Sequence, residues 1–304
     1  MTEGRSTDER PSADLVSIVL DHFGVSLSDA AEAWEGEESI GWRGSSADGD
    51  RFVQRLPSWR DIGELEWSDS VARAASTAAP ESVHAIRSQE GTAAVITPEG
   101  AVMVYPFVAG THESYDGLES DAADLLARIH RGIAASWMAA EPPLGRPRPR
   151  PRVGREDLLV DEALDHWQRR VSGGSALPIH GDYYGGNLLI AEAGIAGVID
   201  WFDAEIAPHE QEVAWAVWEF CHNAREDLLD DEAEAFLRRY LEAGGTAAVG
   251  KPFDPCPWIR IRLRAEARMW FADPRSKIET SEYHEAQLVA FERLRGRRLP
   301  GRWE

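Results

Sequence analysis

Lysine is nearly absent from this chain: of its 304 residues only Lys251 and Lys277 carry that side chain, both late in the sequence. Any cation that grips a phosphate before that point must therefore be an arginine. Cysteine is as scarce. Cys221 and Cys256 are too few for a disulfide framework and stand in no metal-ligand spacing, so they read as buried, reduced thiols. No apolar run approaches the roughly 18–20 residues that span a bilayer. The polar stretch Met1–Ala13 lacks the apolar centre of a signal peptide and reads as a disordered tail. These absences argue against a disulfide scaffold, a structural zinc site and a membrane partner, and they make the cytoplasm the expected location. Positive charge is short overall, since 32 Lys and Arg against 53 Asp and Glu leave −21 at pH 7. Such a surface repels nucleic-acid phosphates, so no nucleic-acid partner is expected, and it attracts small cations.

What is present is a globular composition, 43% apolar and 28% charged, long enough for a two-lobed domain with a sizeable core. Leu15, Ile18, Val19 and Phe23 fall at helical spacing and predict a helix over 12–23, ended by Gly24. Residues 34–56 read as strands, with Asp48-Gly49-Asp50 as the hairpin turn. A helix is expected over 62–79, stopped at Pro80, then strands over 84–88, 92–97 and 101–107, the last running into a connector at Val108-Ala109-Gly110. Beyond that point the chain turns helical. Leu125, Leu126, Ile129, Ile133 and Trp137 predict an amphipathic helix over 121–137. The alternation of proline and arginine over 141–155 predicts an extended loop. A helix over 155–171, short strands over 187–190 and 195–199, and four helical stretches complete the pattern. A sheet-rich part followed by a helical part indicates α+β rather than alternating βαβ.

The chemistry is concentrated in one segment. Leu177-Pro178-Ile179 is an apolar approach to His180-Gly181-Asp182, and Asn187 opens the next strand. After one hairpin, Gly197-Val198-Ile199 delivers Asp200 at a strand end. Asp182, Asn187 and Asp200 offer hard oxygen atoms, which suit Mg²⁺, an ion that keeps several waters and takes one or two carboxylates plus substrate phosphates. Phosphoryl transfer requires such a set, together with a carboxylate that places the incoming hydroxyl.

The spacing His180-x-Asp182-x4-Asn187, followed by Val198-Ile199-Asp200-Trp201, resembles the catalytic and metal-binding loops of the aminoglycoside phosphotransferase family. That family includes choline, homoserine and methylthioribose kinases and shares the protein-kinase fold. The resemblance covers about residues 34–220 and is sharpest from Ile179 to Phe220. It implies a two-lobed α+β protein, with a small antiparallel-sheet nucleotide lobe over 14–110 and a larger, mainly helical catalytic and acceptor lobe over 111–304. It implies ATP and Mg²⁺ as cofactors, with GTP left open. Asp182 would be the catalytic base, kept ionised at pH 7 by a polar loop. His180 would brace that loop, and Asn187 and Asp200 would hold the metal. Phe52-Val53-Gln54-Arg55 resembles the family's Val-x-Lys/Arg strand, which puts Arg55 on the phosphates and Glu64 or, preferably, Glu66 opposite it. Met103 to Val108 would form the inter-lobe hinge, where Pro106 cannot donate and adenine would use a backbone N–H of Tyr105, Phe107 or Val108. No G-x-G-x-x-G stands in the stretch Gly36 to Gly44. Glu212 takes a place where many members have Asp, a carboxylate that usually braces the catalytic loop, and it reads as structural, as does His130 on a helix that resembles the one packing behind that loop.

The acceptor implied is a small molecule with a hydroxyl group, and the acidic balance favours a cationic one such as an aminoglycoside or amino alcohol. Asp203, Glu205, Glu219 and Glu266 are candidate docking carboxylates, while Trp215 and Trp218 read as core. A catalytically silent nucleotide sensor and a metal-dependent hydrolase are the competing readings.

Overall fold

A computed structural model describes all residues except 1–4, 8, 29–31, 36–38, 113–116, 139–158, 172–175, 251–252, 273–281 and 300–304. The proline–arginine stretch over 141–155 lies outside the described residues. A six-stranded antiparallel sheet is built from β1 (Arg5–Thr7), β2 (Ala33–Glu35), β3 (Ile40–Ser46), β4 (Gly49–Leu56), β5 (Ala94–Thr97) and β6 (Gly100–Pro106), in the order β1-β2-β3-β4-β6-β5. The edge strand corrects one expectation. Residues 1–13 do not form a wholly disordered tail, because Arg5–Thr7 pairs with Ala33–Glu35 and the Glu9 carbonyl accepts the Trp42 indole N–H at 3.1 Å.

Both faces of the sheet are covered. On one lies α1 (Ala13–Phe23), capped at its start by the Ser12 hydroxyl and stopped by Gly24 at φ 65°. Its Leu15 and Val19 pack with Trp42, Val53, Val102 and Val104. On the other lies α2 (Ile62–Ser76), capped by Asp61. Its Leu65 packs with Leu56, Ala101 and Met103, and Tyr105 and Phe202 close that cluster. The segment 84–88 is not the strand its composition suggests. Its backbone is tied instead to three different elements: Ala85 N–H to Asp69 Oδ1 at 2.6 Å, Ile86 N–H to Val104 at 2.7 Å, and, just before it, Val83 N–H to Val198 at 2.9 Å.

The larger part is helical: α3 (Glu119–Ser136), α4 (Glu162–Val171), α5 (His209–Cys221), α6 (Asp230–Glu242), α7 (Pro255–Ala272) and α8 (Glu282–Arg293). Between α4 and α5 lie the short strands β7 (Leu177–Ile179), β8 (Leu188–Ala191), β9 (Gly194–Val198) and β10 (Glu205–Ala207), paired as β8-β9 and β7-β10. The connector after β6 bonds to this hairpin through Thr111 N–H to Ile190 O and Ile190 N–H to Thr111 O, at 2.9 and 2.8 Å. The sheet is thereby pinned above the loops that carry Asp182 and Asp200. Among the described residues no helix is long and apolar enough to cross a membrane.

Candidate active site

The loop between β7 and β8 is held by its backbone. Gly181 adopts φ +85°, and a Cβ there would collide with the carbonyl of Asp203, so only glycine fits. The Gly181 N–H donates to Glu212 Oε1 on α5 at 2.7 Å. His180 is fully buried. Its Nε2–H donates to the Ile199 carbonyl at 2.9 Å and its Nδ1 accepts the Asp182 N–H at 3.3 Å, which fixes a neutral tautomer. Burial lowers its pKa in keeping with that tautomer. Ile199 N–H in turn donates to the Asn187 carbonyl at 3.0 Å. His180 and Asn187 therefore clamp Ile199 from both sides and set Asp200, with its left-handed backbone at φ 62°, beside the catalytic loop.

The Asp182 carboxyl is partly buried, and it differs from the expectation for a polar loop. Burial pushes its pKa up to about 7, against the pull of Arg262, and Asp203, Asp200 and Glu266 push it the same way. Asn187 Nδ2 donates to the Asp182 carbonyl at 2.8 Å and to Oδ2 at 3.1 Å. That leaves Asn187 Oδ1 as the amide's acceptor atom. An amide oxygen and the Asp200 carboxylate form a hard-donor set suited to Mg²⁺. Among the described residues no three His, Cys, Asp or Glu side chains gather into a preformed cage. The mutual repulsion of Asp182, Asp200 and Asp203 is the kind that a divalent cation relieves.

Behind the loop lies a buried relay. The Tyr240 hydroxyl accepts the Ala247 N–H at 2.9 Å and lies 2.8 Å from His130 Nδ1, and His130 Nε2 lies 2.8 Å from Glu212 Oε2; an ionised Glu212 takes the Nε2–H, which leaves Nδ1 of the neutral ring to accept the Tyr240 O–H. His209 stacks on His130 with ring centroids 3.9 Å apart. His130 and Glu212 thus brace the catalytic loop from α3 and α5. Burial holds the pKa of both His130 and His209 down to about 3. In an unfolded chain each would titrate near 6.5. Their contribution to stability is therefore complete above about pH 6.5 and is lost progressively as pH falls from there towards 3, because the unfolded state takes up the protons first. Burial raises the Glu212 carboxyl and so acts in the opposite sense in the acid range. Asp182 and Glu219, pushed up to about 7 and about 8 by burial, act in that opposite sense over the same range, so the expected result of thermal denaturation is a difference: between pH 7 and pH 5 the melting temperature of the wild type falls more, or rises less, than that of His130→Gln.

The nucleotide side revises another expectation. Along β4 the side chains alternate. Val53 and Arg55 share the face that packs on α1, whereas Phe52, Gln54 and Leu56 face α2 and Phe202. Arg55 accordingly pairs with Glu9 at 2.9 Å and Glu99 at 3.0 Å, above the Trp42 ring, and does not meet Glu66. Glu66 instead receives Arg87 and the Ala93 N–H, and Arg87 reaches Asp69 at 2.8 Å as well. The residue on the inward face at that point is Gln54, which donates to Ser39 at 3.0 Å. Arg60, just before α2, lies over the Phe202 ring at 5.1 Å, two residues beyond Asp200. Trp34, Phe52 and Phe107 form an aromatic group, with centroids 6.0 Å apart for Trp34–Phe52 and 6.3 Å for Trp34–Phe107. In the hinge, Phe107 N–H is taken by the Asp50 carbonyl at 3.2 Å. Tyr105 bonds to Met103 Sδ at 3.3 Å through its hydroxyl, and that hydroxyl is raised by burial and by the Asp69 and Asp200 charges.

Helix α7 holds the residue that sequence reasoning missed. Arg262 on α7 donates to the Gly181 carbonyl at 2.9 Å, to Asp182 Oδ1 at 3.3 Å and to Glu266 Oε1 at 2.7 Å. The spacing Arg262-x3-Glu266 was a readable helical pair, but nothing in it points at Asp182. Three of the four candidate carboxylates gather here. Asp203 and Glu266 act on Asp182, and Glu219 is pushed up to about 8 by burial and by Glu266 and Asp182. Glu205 instead accepts from Gln211 at 2.9 Å. Trp215 and Trp218 are both buried in the core, as expected; Trp218 stacks on His222, and Trp215 also has Arg262 over its ring at 5.2 Å.

Residues 46–250 match the family model described as "Phosphotransferase enzyme family". The chain is similar to the solved structure of a microcompartment-associated aminopropanol kinase, with 16% identity, a TM-score of 0.67, and 92% of this chain and 96% of that one covered. It is similar to amicoumacin kinase hAmiN in complex with AMP-PNP, Ca²⁺ and Ami, at 13% identity and a TM-score of 0.64, over 91% of this chain and 90% of that one. It is also similar to spectinomycin phosphotransferase APH(9)-Ia in complex with ADP and spectinomycin, at 14% identity and a TM-score of 0.57, over 93% and 94% of the two chains. No curated protein sequence matches the chain. At these identities the solved structures establish the two-lobed, kinase-like fold, while the family match spans well over half of the sequence. The chain belongs to the phosphotransferase enzyme family.

Proposed function

We propose that this phosphotransferase moves the γ-phosphoryl group of ATP to a hydroxyl of a small, amine-bearing molecule, with Asp182 accepting the hydroxyl proton. The observation that carries this reading is the position of Asp182. It is fixed by Asn187 on the side of Asp200 and by Arg262 on the side of Glu219 and Glu266. The nucleotide would lie under the sheet of the N-terminal lobe, residues 14–110, and the acceptor in the lobe over 111–304. Asn187 and Asp200 would hold Mg²⁺, which when bound offsets charge on the phosphate oxygens.

The chain's own residues account for the rest. Asp182 Oδ1 and Oδ2 each keep an acceptor position beyond their bonds to Arg262 and Asn187, so a hydroxyl can be oriented for in-line attack. A carboxyl raised to about 7 is a better acceptor for the departing proton than an ordinary one. Val108 N–H is the hinge donor assigned to adenine, because the Phe107 N–H is already used and Tyr105 lies within the β4–β6 ladder opposite Phe52. Arg55 faces away from Asp200, so the phosphate contact is assigned to Arg60. Arg60→Ala is expected to raise the KM for ATP by about tenfold or more, as loss of a charged hydrogen bond does, whereas Arg55→Ala should leave it within about twofold. Steady-state kinetics of the two variants would test that assignment, and the reverse ranking would return the role to Arg55. For the acceptor, a Glu219→Gln variant that binds amino alcohols as tightly as the wild type would remove support for an amine site.

A further inference from the structure

We propose that Arg262 determines acceptor specificity: it fills the cation position beside the catalytic base and so restricts the acceptor to a single positive charge, carried at Glu219 and Glu266. This rests on the amine-acceptor reading above and sharpens it. The Arg262 guanidinium spans the gap between the base and the acidic pocket, donating to Asp182 Oδ1 and the Gly181 carbonyl at one end and to Glu266 Oε1 at the other. It also lies over the Trp215 ring. A carboxylate, a carbonyl and an aromatic face are the features that a substrate cation near the reacting hydroxyl would seek, and the chain's own side chain already holds all three.

What remains for a ligand lies beyond it. Among the described residues Glu266 Oε2 is buried without a hydrogen-bond partner, and Glu219 makes no hydrogen bond. Trp215 and Glu219 stand one turn apart on α5, and Arg262 and Glu266 one turn apart on α7. The two helices pack together, so these four side chains line one seam. One ammonium group can bridge Glu219 and Glu266 Oε2, its charge favouring the ionised form of the Glu219 carboxyl that burial otherwise disfavours. A second, placed closer to the hydroxyl, would meet the guanidinium and be repelled by its like charge.

The test uses matched hydroxyl compounds bearing one amine or two, such as aminopropanol and diaminopropanol, with kcat/KM measured for the wild type, Arg262→Gln and Arg262→Lys. Gln keeps a donor for the Gly181 carbonyl, and Lys keeps the charge. The wild type and Arg262→Lys are expected to favour the one-amine partner by about tenfold or more, and Arg262→Gln to bring the pair within about twofold while melting at a similar temperature. Equal discrimination in the wild type and Arg262→Gln would overturn the role of Arg262 and leave the amine site standing. Turnover of uncharged hydroxyl compounds in place of both amines would overturn the amine site and this inference together.

Discussion

Asp182→Asn is expected to lower kcat about a thousandfold or more while leaving the fold intact. Asparagine has the same shape and retains an oxygen for the Asn187 amide or the Arg262 guanidinium, which bond the two carboxylate oxygens at 3.1 and 3.3 Å. What it loses is the ability to take a proton and the charge that orients the acceptor hydroxyl. General-base catalysis of this kind contributes about 10²–10⁴ in rate. The predicted signature is a fall in kcat with KM for ATP nearly unchanged, because Asp182 does not hold the nucleotide. Removing one of the crowded carboxylates also relieves repulsion from Asp200, Asp203 and Glu266, so the melting temperature should not fall. A variant within about tenfold of the wild-type rate would show that another group accepts the proton.

Gly181→Ala should be the most damaging single methyl group in the catalytic loop. At φ +85° an alanine is strained by about 1–3 kcal/mol, and its Cβ would be driven into the Asp203 carbonyl, which is backbone and cannot swing aside. The loop must shift, and the shift breaks both the Gly181 N–H bond to Glu212 and the carbonyl bond from Arg262. Because displacements of about 1 Å can cost a hundredfold in rate, the expected outcome is a loss of at least that size in kcat/KM together with a clear drop in melting temperature. Gly91→Ala is the control. Its φ of +83° imposes similar strain, but no atom lies within 4 Å of the added carbon, so stability should fall and activity should not.

The catalytic loop was legible in sequence because its parts are local. His180, Asp182, Asn187 and Asp200 are placed by a strand, a turn and one hairpin, and their spacing carries the geometry. The sheet and the helix order followed from period-two and period-3.6 patterns in the same way. What escaped depends on phase and on long-range packing. In Phe52-Val53-Gln54-Arg55 the alternation says that neighbours face opposite sides, but not which side meets the cleft. A shift of one residue put Arg55 there where the structure puts Gln54. Glu66 kept its place on α2 yet found Arg87, whose segment is folded back by bonds to Asp69, Val104 and Val198. Arg262 was invisible for a different reason: it reaches Asp182 across 80 positions, and only the packing of α7 on α5 brings the two together. The pKa of Asp182 follows the same rule, since its polar neighbours in sequence matter less than the buried carboxylates supplied by other elements.

As a phosphotransferase, this chain should pass phosphate to an alcohol rather than to water. The most direct measurement is to incubate the protein with Mg²⁺ and ATP across a panel of aminoglycosides and smaller amino alcohols, and to quantify ADP and the phosphorylated acceptor in the same samples. One acceptor class should yield ADP and a phosphate monoester in equal amounts, with both products lost in Asp182→Asn. ADP and free phosphate with no ester, at a rate indifferent to every acceptor, would contradict it.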